Sequence, residues 1–397
     1  MSESSRSAQN ALEDSLLHRL LVLTDQLQAL PAGLVLASLI ANALIGALAW
    51  GERGTQTALL IGGACLAGGL VNWLLLWLLP QTGRSYGPDR PSALALSAVT
   101  ALLTAALGLF GAPPALALTA IVAISGLAYY TTWIEPFALS VTRQVLETDA
   151  WTSAEPLRVL HIGDIHIERA GRREAHLNAL VEALAPDLIL FSGDFVNLSY
   201  THDEAAKAGI RRVISAWEAP LGVYCVPGTP IVEPLERVGE FVAGVESITL
   251  LANRWVTIDA PGGRLSLLGL ITTHDLPTDR AALADLSAEA PGDGLLTVLA
   301  HSPDVAPEAA EAGFDWYLCG HTHGGQIRLP LIGALFSSSR LGRRFVMGRY
   351  ALGKLQLYVT RGVGMEGLGA PRARLLCPPE IVLWEVRGVG TGLDLSI

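Results

Sequence analysis

Four runs of about 20 apolar residues, at positions 31–50, 58–79, 92–110 and 114–134, fall within the first third of this 397-residue chain. A helix rises about 1.5 Å per residue, so each run is long enough to cross roughly 30 Å of hydrocarbon. The chain is 51% hydrophobic and 16% charged, and residues 31–134 hold almost none of that charge, whereas 150–388 have ordinary globular composition. The chain therefore divides near residue 150 into a four-helix transmembrane bundle and a water-soluble domain. The predicted organisation is an amphipathic leader over 1–30, four spans over 31–135, a connector over 136–155, a globular domain over 156–388 and a tail over 389–397.

Detail within the apolar third agrees with a bilayer setting. Trp73 and Trp77 lie near the end of one run, and Tyr129, Tyr130 and Trp133 near the end of another, where amphipathic rings favour the headgroup level. Gly62, Gly63, Gly68 and Gly69 would let helix backbones approach closely, which matters where lipid removes the hydrophobic incentive to associate. Leu16, Leu20, Leu23, Leu27 and Leu30 recur at helical spacing, so the leader reads as an amphipathic helix lying on the membrane or the bundle. Roughly 30 residues precede the first run and three more runs follow it, which argues against a cleaved signal peptide. Arg6, Arg19, Arg84, Arg90, Arg143 and Arg158 fall on one side of the spans and Arg53 alone on the other. The positive-inside rule then puts both termini and the globular domain in the cytoplasm, on a multi-pass protein of the cell inner membrane.

The formal charge of −10, without a basic stripe or a cluster of more than two adjacent Arg, gives no sign of a phosphate-backbone reader, so nucleic acid is not an expected partner. Cys65, Cys225, Cys319 and Cys377 have neither zinc-finger nor disulfide-framework spacing and read as buried thiols.

After residue 155, apolar runs alternate with helical patterns. Strands are predicted at 157–162, 187–192, 222–226, 265–271, 295–300, 316–319, 355–360 and 381–386, and helices at 173–184, 204–217, 280–289 and 305–311. Gly262-Gly263 reads as a hairpin turn. The pattern implies an α/β sandwich with more than one sheet. Four clusters follow predicted strands directly: Asp164-Ile165-His166, Gly193-Asp194, His301 and Gly320-His321-Thr322-His323. Carboxylates mixed with imidazoles make a divalent transition-metal ligand set, and loops at the carboxyl ends of strands can bring separate clusters to one place. Each cluster alone is weak; a lone Gly-Asp is usually a turn. All four in order, each after a strand, point to a metal site.

These motifs, with Ser192-Gly193-Asp194-Phe195-Val196-Asn197, Ala300-His301-Ser302-Pro303-Asp304, Gly320-His321-Thr322-His323-Gly324-Gly325-Gln326, Arg361-Gly362-Val363-Gly364 and Pro378-Pro379-Glu380-Ile381, resemble the calcineurin-like metallophosphoesterase superfamily. The likeness covers about 155–387 and is strongest to the branch of YkuE- and YaeI-like phosphoesterases and of transmembrane proteins with a metallophosphoesterase domain. It implies a metallophosphoesterase-type sandwich of two mixed sheets. It also implies two divalent ions, Mn, Fe or Zn: one held by Asp164, His166, Asp194 and His323, the other by Asp194, His301 and His321, with Asp194 bridging. Asp194, His301 and His321 are the expected catalytic residues, acting with a metal-bridged hydroxide.

One motif departs from the superfamily pattern. Where that pattern reads Gly-Asn-His, this chain has Gly228-Thr229-Pro230, which removes one neutral ligand and one acid. His274, in a loop after a predicted strand, is a candidate replacement. His161 reads as a core residue, and His18, His176 and His202 as leader, helix and loop residues without a role. The expected function is a membrane-anchored phosphoesterase cleaving a phosphoester or pyrophosphate bond, with a lipid-linked substrate such as UDP-2,3-diacylglucosamine suggested by the resemblance alone. The rival is a catalytically weakened domain acting as a ligand sensor or scaffold. Oligomeric state is not legible in the sequence.

Overall fold

The computed structural model describes residues 22–153 and 155–390. It resolves into two compact units. One contains the helices up to Pro136 together with Glu366–Ala373, and the other runs from Phe137 to Met365 and resumes at Arg374.

In the helical unit, α1 (Ala32–Leu48), α2 (Thr55–Gln81), α3 (Asp89–Leu109) and α4 (Pro114–Tyr129) cover the four apolar runs. A π-helical turn, Tyr130–Ile134, extends the last of them. The packing depends on small residues, as the sequence suggests. A Cβ on Gly62 would come 2.9 Å from the Ala47 Cβ, and one on Gly68 3.1 Å from Ile121 Cγ2, whereas Gly63 faces open space. Leu44, Leu59, Leu102 and Val122 point outward, so the bundle is apolar on its outside as well as within. Among the described residues, three helices are long and apolar enough to cross a membrane, namely Thr55–Gln81, Asp89–Leu109 and Pro114–Phe137. Helix α1 has 17 residues and makes a fourth span only if counted with Val22–Ala29, from which it bends by 109°. Leu16 and Leu20 of the expected amphipathic leader lie outside the described residues.

The second unit is an α/β sandwich. Its strands are β1 (Ser140–Glu147), β2 (Leu157–Ile162), β3 (Leu188–Phe191), β4 (Val223–Cys225), β5 (Ile248–Leu250), β6 (Arg254–Ala260), β7 (Gly263–Leu270), β8 (Leu295–Ala300), β9 (Trp316–Cys319), β10 (Arg328–Leu329), β11 (Gly333–Ala334), β12 (Gly348–Leu352), β13 (Leu355–Val359) and β14 (Glu380–Arg387). One six-stranded sheet has the order β1-β14-β2-β3-β4-β5, the other β12-β13-β9-β8-β7-β6, and β10 with β11 forms a separate hairpin. Both large sheets are mixed: β2 to β5 and β13, β9, β8 and β7 run parallel, while β14 meets β2, β12 meets β13, and β6 meets β7 antiparallel.

Period-two alternation explains the layers. Leu157 and Val159 of β2 join Leu265, Leu267, Leu295 and Leu299 in the core between the sheets, while Leu160 and Ile162 turn to α5 (Arg172–Leu184), α6 (Glu204–Ile214) and α7 (Leu235–Val242). On the other outer face, α8 (Leu276–Ala288) and α9 (Ala306–Glu311) cover β7, β8 and β9. Strand β1 lies within the stretch read as a connector and pairs in parallel with β14. All four cysteines are free and buried.

Candidate metal centre

Six loops meet at the carboxyl ends of parallel strands. From the first sheet come the turns after β2, β3 and β4, carrying Asp164 and His166, Asp194, and Thr229. From the second come those after β7, β8 and β9, carrying His274, His301, and His321 with His323. The strand ends are locked together by backbone hydrogen bonds: Asp164 N donates to Gly193 O (3.0 Å), His166 N to Asp194 O (3.0 Å) and Gly320 N to His301 O (2.9 Å). Glycine is required at two of these turns. Gly193 has φ +90°, and a Cβ on Gly320 would lie 2.1 Å from Asp164 Oδ2. Asp164, His166, Asp194, His321 and His323 all have positive φ, between 39° and 71°. Left-handed backbone at non-glycine residues costs about 1–2 kcal/mol each and gathers where function over-determines the loop.

The side chains fall into two groups sharing one member. Ligand atoms of Asp164, His166, Asp194 and His323 lie within 4.8 Å of one another, as do those of Asp194, His301 and His321. Asp194 Oδ2 stands 3.3 Å from His166 Nε2 and 3.2 Å from His301 Nε2. His166 Nε2 is 2.9 Å from His323 Nε2, and His321 Nδ1 is 3.1 Å from His301 Nε2. The Ser192 carbonyl accepts from His301 Nδ1 at 2.9 Å, which fixes the ring with Nε2 toward Asp194.

The electrostatics favour cation ligands. Burial pushes His321 down to about 4 and His323 well below the usual imidazole range, so both are neutral donors at physiological pH. Burial also lowers His301, but Asp194 and Asp164 outweigh it and hold the ring at about 9, so this ring must release a proton to serve as a ligand. Burial raises Asp164 to about 6, and its Oδ2 has no hydrogen-bond partner among the described residues. Burial would raise Asp194 too, yet His301 and His166 keep it well below the ordinary carboxylate value. Two buried carboxylates, four convergent imidazoles and an orphaned carboxylate oxygen fit a pair of divalent cations.

Residues 157–325 match the calcineurin-like phosphoesterase family. The phosphodiesterase YaeI of Escherichia coli is 31% identical over 250 residues, covering 59% of this chain and 83% of that protein. This chain belongs to the calcineurin-like phosphoesterase family. The metallophosphoesterase YkuE of Bacillus subtilis is 28% identical over 298 residues, covering 70% and 95% of the two chains, and YkoQ of the same organism is 25% identical over 250, covering 62% and 89%.

Against the family pattern quoted above, the loop after β4 becomes legible. Thr229 N donates to Asp194 Oδ1 at 2.7 Å, and Thr229 Oγ1 lies 3.4 Å from Asp194 Oδ2 and 3.3 Å from His301 Nε2. The hydroxyl therefore stands beside the second group, where the family has an amide. His274 is buried, its ring centroid 4.5 Å from that of His321 and 6.4 Å from that of His301, and its Nε2 has no partner. It borders the site without joining either ligand group. His161 is a core residue, with Nε2 3.1 Å from Ser192 Oγ. His176 and His202 are exposed, on α5 and in a loop, while His18 lies outside the described residues.

Two supporting residues were not singled out from the sequence. Glu233, fully buried, accepts from Val196 N at 2.6 Å and Gly228 N at 3.3 Å, clamping the β4 loop to the Asp194 loop. Burial and the Asp194 charge raise its carboxyl to about 8. Arg374, also buried, donates to the carbonyls of Cys377, Arg361, Gly362 and Gly364, and Gly364 N donates in turn to Asp164 O. The signal for Glu233 was a lone acid in Ile231-Val232-Glu233-Pro234; for Arg374 it was the Arg361-Gly362-Val363-Gly364 motif it braces.

Proposed function

We propose that this chain is a membrane-anchored phosphoesterase with two divalent metal ions, which hydrolyses a phosphoester or pyrophosphate bond at the cytoplasmic face of the inner membrane. The observation that carries the reading is the position of Asp194 Oδ2, almost equidistant from His166 Nε2 and His301 Nε2 and so shared by the two ligand groups. Asp164, His166, Asp194 and His323 would hold one ion, and Asp194, His301, His321 and the Thr229 hydroxyl the other. When bound, two such ions activate a water for in-line attack on phosphorus and offset the phosphate charge. The protein supplies the rest. Neutral His321 and His323 donate lone pairs without a deprotonation cost, His301 is oriented by Ser192 O, and the glycine turns bring the carboxylates into van der Waals contact with opposing backbone.

Family membership and the name phosphodiesterase carried by one relative support a diester as substrate. The three apolar helices support anchoring, and anchoring favours an amphipathic substrate such as a nucleotide-linked diacyl sugar. Thr229-Pro230 supports reduced turnover of substrates with poor leaving groups, and it is also the observation that favours the second reading, a weakened domain that senses or scaffolds. The deciding experiment is hydrolysis of bis(p-nitrophenyl) phosphate by the purified full chain, with and without added Mn²⁺, beside Asp194→Ala. Metal-dependent activity lost in the variant supports the enzyme; metal binding without turnover supports the sensor.

A further inference from the structure

Between β9 and β13 the chain carries a second feature that the metal centre does not use. After His323 it forms the β10–β11 hairpin, whose tip is Pro330-Leu331-Ile332. Leu331 is fully exposed and Phe336 63% exposed, with Ile332, Leu335 and Leu376 also open to solvent. The hairpin is well tied down. Arg328 N donates to Leu375 O and Leu375 N to Gln326 O, Leu335 N donates to Ile327 O, and Arg343 Nη1 donates to Ala334 O at 2.9 Å. A firmly bonded hairpin segment that leaves Leu331, Ile332, Leu335 and Phe336 open to solvent, with Leu376 exposed on the segment it pairs with, marks an interaction surface.

Its surroundings are basic. Arg328 lies in the hairpin and Arg340, Arg343 and Arg344 follow it, with no Asp or Glu between residues 316 and 348, whereas Lys354 and Arg361 further on are paired with Asp315 and Glu380. Arg340, Arg343 and Arg344, just after the hairpin, are exposed. Apolar side chains at a tip with cations behind them match the boundary of an anionic bilayer, where rings and aliphatic groups enter the acyl region and guanidinium groups stay with the phosphates. The chain's own connectivity supports that partner: Phe137 ends the last apolar helical segment, and only Ala138 and Leu139 separate it from β1. The hairpin is also continuous with the ligand loop, since Ser338 Oγ donates to His321 O at 2.7 Å.

We infer that the 330–336 hairpin, with Leu376 and the exposed arginines Arg340, Arg343 and Arg344, docks on an anionic lipid surface and holds the metal centre at the headgroups. The inference rests on the anchored-phosphoesterase reading and specifies which face of the domain meets lipid. It is tested on the full chain reconstituted in vesicles, with an environment-sensitive fluorophore on Ile332→Cys and, as control, on the exposed Ala216→Cys; the four native cysteines are buried. In phosphatidylglycerol-rich vesicles, doxyl lipids should quench the label at 332 several-fold more than at 216. The difference should shrink in pure phosphatidylcholine and when Arg340, Arg343 and Arg344 are changed to Glu. Equal quenching at the two positions overturns the inference. So does a label at 332 shielded from both doxyl lipid and aqueous iodide, which would mark a protein contact, a second copy included. Hydrolysis of soluble bis(p-nitrophenyl) phosphate by Leu331→Asp/Phe336→Asp should match the parent. Vesicle flotation reads anchoring and hydrolysis reads the enzyme, so either can fail without imitating a failed docking result.

Discussion

Replacing Thr229 by Asn and Pro230 by His restores the family loop and tests what its loss costs. The scaffold should accept the change. Thr229 N, which any residue supplies, already donates to Asp194 Oδ1 at 2.7 Å, and the loop's next bonds run from Val232 N and Glu233 N to Thr229 O, with no demand on residue 230. An Asn at 229 reaches one bond further than the Thr hydroxyl, which now stands 3.3 Å from His301 Nε2, so the second metal should bind more tightly and the Mn²⁺ needed for half-maximal activity should fall. A His at 230 can protonate a leaving oxygen, which Pro cannot. General acid catalysis contributes typically 10²–10⁴-fold, equivalent to about 2.7–5.4 kcal/mol of barrier. Nitrophenolate leaves without a proton and an alkoxide does not, so kcat for an alkyl phosphodiester should rise by about 10²-fold or more, and for the nitrophenyl diester only a few-fold. Steady-state kinetics on the matched pair reads the difference. Equal gains on both esters would refute the argument. So would a parent enzyme already fast on alkyl esters; in that case His274→Ala, beside His321, is the variant to examine for the missing proton donor.

Asp194→Ala should empty both metal positions and His323→Ala mainly one, as measured by elemental analysis of the purified full chain; two full equivalents in Asp194→Ala would refute the shared-carboxylate arrangement. Gly320→Ala puts a Cβ 2.1 Å from Asp164 Oδ2, and overpacking of this kind costs typically 1–3 kcal/mol; urea denaturation should register the loss, and an unchanged midpoint together with unchanged metal content would show that the carboxylate can move aside. If the domain is cytoplasmic, as the arginine bias predicts, a phosphatase fused at the carboxyl terminus should be inactive and a fluorescent protein bright; the opposite pattern would invert the topology and exclude cytoplasmic nucleotide-lipid substrates.

The sandwich was legible where burial is two-sided. Strands 157–162, 295–300 and 316–319 were predicted with the boundaries the structure has, because a strand covered on both faces is a continuous apolar run bounded by Gly, Pro or Asp. The edges were not legible. Strand β1, Ser-Val-Thr-Arg-Gln-Val-Leu-Glu, is polar at most positions and buries only Leu146, so its sequence looks like linker, and only pairing with β14 makes it a strand. Strand β12 alternates partly buried and exposed residues and is defined by its antiparallel partner β13. Helix α7 is eight residues long, too short for its periodicity to stand out between Pro234 and Ala243. In the bundle, run length alone suggested four equal spans, whereas Pro31 breaks the first helical stretch and leaves α1 with 17 residues.

At the metal centre, chemistry was legible and support was not. Asp and His residues stand out because few structural roles require them together after strands, and all six proposed ligands converge. Glu233 and Arg374 carry no such signature, since a single acid or base in an apolar run acquires meaning only from the backbone groups it meets. Glu233 also changes how the departure at Gly228-Thr229-Pro230 should be understood. Glu233 accepts from the amides of Val196 and Gly228, which offsets the cost of burying its carboxyl group and keeps Thr229 N directed at Asp194. The loop lacks the Asn and His side chains of the family pattern and has the backbone donor that orients Asp194. That combination supports the proposed hydrolase with altered leaving-group demands, since the positioning donor and the six proposed ligands stand together around Asp194.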